Sequence, residues 1–215
     1  MMLGVPENEL FQIKTREGHI FAIKPMNCPH HIQIFDRQPH SWREMPQRYA
    51  STTKMYRDEQ TGELNGLVRV RAITIDDAHV FCRKRNVIEE MDKIWDIIKE
   101  FYSKCGFKKL MVGLSLRDPD HPEKYIGADK SWEEAESQLN ALIARKHEND
   151  QYITFSKENS KEAAFYGPKI DFVAYDSLGR RWQVATIQLD LNLPERFDLT
   201  CINEKGEKER IVMVH

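Results

Sequence analysis

Residues 55–82 read MYRDEQTGELNGLVRVRAITIDDAHVFC, and the division of this stretch decides the fold. The runs 47–57 and 67–74 have strand character and are joined by the polar segment DEQTGELNG. Gly62 and Gly66 suit a long loop between antiparallel strands, and residues 75–82 carry the second strand onward. Arg57-Asp58-Glu59 stands where the first strand enters the loop, and Arg69-Val70-Arg71 where the chain returns. Alternation puts Arg69 and Arg71 on one face, so pairing of the two strands is expected to bring three guanidiniums beside one acid. Guanidinium forks match phosphate geometry. The same residues also make an ordinary salt-bridged surface.

Toward the amino end, residues 10–23 alternate around Arg16-Glu17-Gly18 and predict a β-hairpin. Pro29 opens a short helix over 30–35. Toward the carboxyl end, Val87, Met91, Ile94, Trp95, Ile98 and Phe101, with Tyr102, recur at helical steps and predict a helix over 86–105. Asn86 is placed to cap it and Gly106 to stop it. Residues 110–116 predict a strand, and 131–146 a second helix with Ser131 and Glu134 as a capping box. Two further hairpins follow, 169–175 with 181–191 around Ser177-Leu178-Gly179, and 199–203 with 210–214 around Lys205-Gly206. Successive hairpins with inserted helices imply an α+β fold, an antiparallel sheet flanked by helices, rather than a doubly wound parallel sheet. No repeat or linker divides residues 1–215. The chain starts close to a strand and stops at His215 directly after an apolar run, which predicts part of a larger domain.

Composition narrows the function classes. Hydrophobic residues are 40% and charged residues 31%, as in ordinary globular proteins. No apolar run approaches the ~20 residues that span a bilayer, and no secretory signal precedes the first strand, so a cytoplasmic, membrane-free protein is expected. The net charge of −2 lacks the basic excess of a duplex-coating protein, though it leaves room for a local phosphate site. Cys28, Cys82, Cys105 and Cys201 are irregularly spaced, without a CxxC pair, and read as free thiols.

Beside the arginines of the 55–82 stretch, two further residue sets are able to carry chemistry. Cys28, His79 and His215 are each competent zinc ligands, and three protein ligands leave the open position of a catalytic site. Their sequence separation does not demand a site, and each alone also reads as a packed core residue. Lys169 follows a tight turn, with Gln183 and Gln188 on the next strand, a set suited to a carboxylate or carbonyl. A lysine there also serves to guard a sheet edge. His30 and His31 adjoin Cys28 but, as neighbours in sequence, point different ways and are set aside.

Together KPMNCPHH, the 55–82 stretch, AAFYGPKIDF, TIQLDLNLPERFDLT and VMVH resemble, in order and spacing, the threonyl-tRNA synthetases, a family of class II aminoacyl-tRNA synthetases. The strand-loop-strand resembles class II motif 2. The cysteine after Pro-Met-Asn and the Asp-Asp-Ala-His run resemble features particular to the threonine enzymes. The resemblance implies a class II catalytic domain that joins threonine to ATP, giving threonyl-adenylate, and passes threonine to tRNA(Thr). It implies Cys28, His79 and His215 as ligands of one Zn²⁺ that takes the amino and hydroxyl groups of threonine. Valine lacks the hydroxyl, so coordination would achieve a discrimination that shape alone does poorly.

By the same resemblance, Asp77 accepts from the threonine hydroxyl, and Arg57 and Lys169 are the catalytic residues, Arg57 on the α-phosphate of ATP. Glu59 takes the adenine amino group, and Arg69 reaches the terminal phosphates with Mg²⁺. Lys169, Gln183, Gln188, Tyr166 and Met26 line the amino-acid pocket. Ile75 stands where the family commonly has glutamine, which removes one polar contact; Asp58 and Ala185 are also variants. Motif 1, with the homodimer interface, is expected before Met1 and motif 3 after His215, without editing or anticodon-binding domains, so this portion alone is expected to be weakly active. Two other readings share the motif: another class II synthetase, such as the prolyl or seryl enzyme, and an inactive synthetase-like binding module with a structural zinc.

Overall fold

A computed structural model of the chain describes residues 10–147, 150–156 and 160–215. The chain divides into two compact units, Met1–Gln38 with Arg48–His79, and Pro39–Gln47 with Val80–His215.

In the first unit the predicted hairpin is β1 (Gln12–Lys14) antiparallel to β2 (Ile20–Ala22). Gly18, at φ +88°, supplies the left-handed step that the turn needs. Helix α1 (Cys28–Asp36) has its proline in the first turn, where the missing N–H costs no hydrogen bond. Strand β3 (Gln47–Tyr56) lies beside β4 (Ala72–Arg83). The expected strand over 67–74 therefore begins later than its composition indicates. Gly66, at φ +53°, turns the chain, Asn65 and Arg69 bridge across that turn, and regular pairing resumes only at Ala72. Arg69 and Arg71 are loop residues, so strand alternation does not govern them.

Beyond Pro39–Gln47, the second unit contains residues 80–83 of β4, followed by α2 (Val87–Lys104) and β5 (Leu110–Ser115). Then come α3 (Asp129–His147), β6 (Ile153–Phe155), β7 (Lys169–Tyr175) and β8 (Arg181–Asp190). Helix α4 (Asn192–Arg196), β9 (Thr200–Ile202) and β10 (Lys208–Val214) complete it. The strand order is β4-β10-β8-β7-β5-β6, with β9 paired to β10. The pairings are antiparallel, as expected, except β5 with β6, which run parallel. A parallel pair needs a crossover, and α3 supplies it. Neither β6, only three residues long, nor the five-residue α4 carries enough periodicity to be read from sequence.

Alternation splits this sheet cleanly. Leu110, Val112 and Leu114 of β5, Ile170, Phe172 and Ala174 of β7, and Ile187 and Leu189 of β8 belong to the buried core. Helices α2 and α3 contribute Val87, Met91, Trp95, Ala135, Leu139 and Leu142 to the same core. Trp95 sets its ring edge-on to Phe172 at 4.9 Å between centroids. Burying each such large side chain contributes roughly 1.5–3 kcal/mol.

Three local expectations need correction. Of the expected apolar residues, Phe101 is more than half exposed, while Tyr102 packs on the core as expected. Asn86 occupies the cap position of α2, but it ends a 3-10 turn (Lys84–Asn86) in helical conformation and its side chain caps nothing. Helix α3 starts at Asp129, so Ser131 lies inside it and there is no capping box; Glu134 instead pairs with Lys84 at 2.8 Å. Among the described residues no helix is long and apolar enough to cross a membrane.

Gly167 packs against the β8 backbone. A Cβ there would lie 2.0 Å from the Leu189 carbonyl oxygen, whereas one at Gly62 would meet nothing within 4 Å. Gly167→Ala is expected to cost about 1–3 kcal/mol in urea unfolding, and Gly62→Ala to stay within about 0.5 kcal/mol of the parent. Equal effects at both positions would contradict this packing.

Candidate functional site

In the first unit, β4 presents Ile75, Asp77 and His79 on one face, with exposed Asp76 and Ala78 on the other. Asp76 accepts from the Thr52 hydroxyl on β3. His79 is fully buried and its Nε2 lies 4.0 Å from the Asp77 carboxylate. The Cys28 sulfur, on the first residue of α1, lies within 4.8 Å of a ring nitrogen of His79. A thiolate and an imidazole at this separation are a donor pair suited to zinc. The Nδ1 of His79 is committed elsewhere, 2.7 Å from Nδ1 of His31. Burial lowers the pKa of His31 below the usual imidazole value.

His31 is thus the residue that the sequence reading set aside and the structure brings in. His30 beside it is exposed, whereas His31 is buried. The useful signal was Cys28 to His31, an i, i+3 spacing that puts two side chains on one helix face.

Segment 24–27 runs along β3, tied by Lys24 Nζ to Thr53 at 2.8 Å and Asn27 Nδ2 to Ser51 at 3.2 Å. Met26, partly buried, sits on this segment two residues before α1. At the loop mouth the Arg57 N–H donates to the Arg71 carbonyl at 2.9 Å and the Arg57 guanidinium to the Pro25 carbonyl at 3.4 Å. Arg69 holds the Glu59 carboxylate through Nε at 2.8 Å, and Arg71 Nε donates to the Glu59 carbonyl at 3.0 Å. Two of the three arginines therefore converge on Glu59, not three; Arg57 faces the 24–27 segment.

In the second unit the sheet face opposite the core carries the polar residues. Lys169 pairs with Gln188 in the β7–β8 register, and with Ser115 in the β7–β5 register. Strand β7 is flanked on both sides, so Lys169 does not guard an edge. Its ammonium lies 3.0 Å from Asp171, whose carboxylate also accepts from Ser115 at 2.7 Å, Gln183 at 2.7 Å and Thr186 at 3.1 Å. Asp171 was not singled out from sequence, although its place two residues after Lys169 puts it on the same strand face.

The Tyr166 hydroxyl donates to the Gln188 side-chain oxygen, and its ring stacks on His215 at 4.6 Å between centroids. His215 exchanges both backbone hydrogen bonds with Gln188 at 2.9 Å. Its Nε2 is 3.0 Å from the buried Asp190 carboxylate, so Nδ1 is the ring nitrogen not engaged by that contact. A carboxylate behind a histidine is the usual support of a metal-binding imidazole.

The family described as tRNA synthetase class II core domain (G, H, P, S and T) matches residues 11–215. The chain belongs to this class II synthetase family. This synthetase core is 50% identical over 200 residues to the threonine--tRNA ligase of Porphyromonas gingivalis (strain ATCC BAA-308 / W83), and 48% over 199 residues to that of Flavobacterium johnsoniae. Each alignment covers 93% of this chain and 30% of the relative, so the chain spans about a third of their length. A solved structure of the RNA binding domain of threonyl-tRNA synthetase from Cryptosporidium parvum Iowa II aligns with TM-score 0.83 and 34% identity, over 97% of this chain and 50% of that one.

The polar face of this synthetase core depends on a single carboxylate. Replacing Asp171 by alanine leaves the Ser115, Gln183 and Thr186 groups and the Lys169 ammonium without their shared acceptor. Asp171→Ala is expected to cost about 2 kcal/mol in chemical denaturation, with Asp171→Asn losing less. A loss below about 0.5 kcal/mol would show that the network contributes nothing measurable.

Proposed function

We propose that this chain is the threonine-activating portion of a threonine-tRNA ligase, acting in the cytosol as part of a homodimeric enzyme, with threonine, ATP and tRNA(Thr) as substrates. The observation that carries the reading is the Cys28–His79 donor pair with Asp77 beside it, in a chain about half identical to threonine--tRNA ligases. Cys28, His79 and His215 are the proposed ligands of a zinc ion. Zinc held there supplies Lewis-acid positions for the amino and hydroxyl groups of threonine.

The chain's own residues then divide the remaining work. Asp77 accepts the threonine hydroxyl proton in a hydrogen bond and so excludes valine. Lys169, with Tyr166, Gln183, Gln188 and Met26, holds and orients the carboxylate that attacks ATP. Arg57 neutralises charge building on the α-phosphate, and Glu59 binds the adenine amino group. Arg69 holds the terminal phosphates, whose charge Mg²⁺ bound with ATP would share. Positioning and charge stabilisation account for the chemistry, and no covalent enzyme intermediate is needed. Ile75, on the same face as Asp77, offers packing where a polar contact is common in the family.

The purified chain is expected to hold about one zinc ion, and Cys28→Ala to lose it. Isothermal titration should show threonine at least about 100-fold tighter than valine, since a site built to bond a hydroxyl rejects the analogue lacking it. Serine should remain a ligand, and chelator treatment should abolish threonine binding. Zinc uptake with equal threonine and valine affinity would favour a binding module with a structural metal instead.

A further inference from the structure

The two histidines proposed as ligands share one arrangement. Each has its second ring nitrogen tied to a buried partner: Asp190 for His215, and another imidazole, His31, for His79. His31 is only 6% exposed, and its ring stands edge-on to His79 at 76° with centroids 4.8 Å apart. Two Nδ1 atoms at 2.7 Å form a hydrogen bond only when one carries the proton and the other a lone pair. The pair therefore has two settings. When His79 donates, its proton sits on Nδ1, and Nε2, the nitrogen on the Asp77 side, keeps a lone pair for a metal. When His31 donates, His79 carries its proton on Nε2 and cannot ligate through that atom.

We propose that His31 is a positioning residue for the metal site: its Nδ1 accepts the His79 Nδ1 proton, selecting the tautomer and ring orientation in which His79 binds zinc. This rests on the zinc reading above and adds the partner that makes His79 a competent ligand. The placement follows from α1. Cys28 and His31 are three residues apart on one helical face, so one rigid element both supplies the sulfur and holds the imidazole that aims at β4. Loss of such an outer partner typically weakens metal affinity 10–100-fold. A filler role alone predicts no such dependence on the accepting atom.

The test measures zinc affinity by competition with a chromophoric chelator for the parent chain, His31→Leu, His31→Asn and His31→Gln, alongside the unfolding midpoint of each metal-free protein. Leucine keeps apolar volume but removes the acceptor. Asparagine carries an oxygen near the Nδ1 position, and glutamine carries its amide one bond farther out. His31→Leu is expected to bind zinc about 10–100-fold more weakly, asparagine to recover most of that loss, and glutamine to recover little. Should the leucine variant fail to fold, the asparagine–glutamine contrast still decides. Parent-like affinity in His31→Leu, or equal affinity for the asparagine and glutamine variants, would overturn the positioning role. A parent chain that takes up no zinc would instead overturn the metal reading beneath it.

Discussion

Each step along β7 turns the next side chain to the opposite face of the sheet, and the second unit is organised around that constraint. Ile170, Phe172 and Ala174 enter the core with α2 and α3, so Lys169 and Asp171 have no choice but the other face. Strands β5 and β8 obey the same rule in register: Leu114 and Ile187 face the core, Ser115 and Gln188 the polar side. A one-residue slip would bury the lysine and expose the phenylalanine. Core packing therefore fixes the polar face as firmly as it fixes stability.

That polar face is costly to assemble unless its charges are answered. An ammonium and a carboxylate held near a sheet surface lose hydration, which only dense hydrogen bonding restores. Asp171 satisfies that requirement with four partners drawn from three strands, including the ammonium of Lys169. Elsewhere the unit treats a buried charge in the same way. Arg83, almost wholly buried, is forked by Glu204 and Glu209, and these carboxylates hold its guanidinium protonated beyond its ordinary range while it holds that of Glu204 well below the usual value.

How much of this was legible in the sequence depended on the length over which a pattern had to hold. Helix α2 and the β7–β8 hairpin run for many residues with one period, and their bounds fall within a residue or two of expectation. Short elements lack that redundancy, so β6 and α4 were invisible. The start of α3 was misread because Ser131 and Glu134 fit a capping motif that also occurs by chance inside helices. Strand propensity in Leu67–Val68 lost to the turn at Gly66, a tertiary choice that local composition does not encode. The site residues came from motif resemblance, not from periodicity. His31 and Asp171 escaped because each matters only through another residue's side chain.

Such indirect residues explain why a site of this kind needs more than its named ligands. A neutral imidazole has one proton and two nitrogens, and a metal can use only the bare one. Without a second bond the proton is free to occupy either nitrogen, and the ring is free to turn. Asp190 resolves the question for His215 from β8, where its other carboxylate oxygen also accepts the Asn192 and Leu193 amides and is thereby fixed itself. His31 answers it for His79 from α1, the helix that begins with Cys28. For the proposed ligands, what lies behind each ring would therefore matter as much as the ring, because Asp190 and His31 supply a pre-organisation that Cys28, His79 and His215 do not provide by themselves.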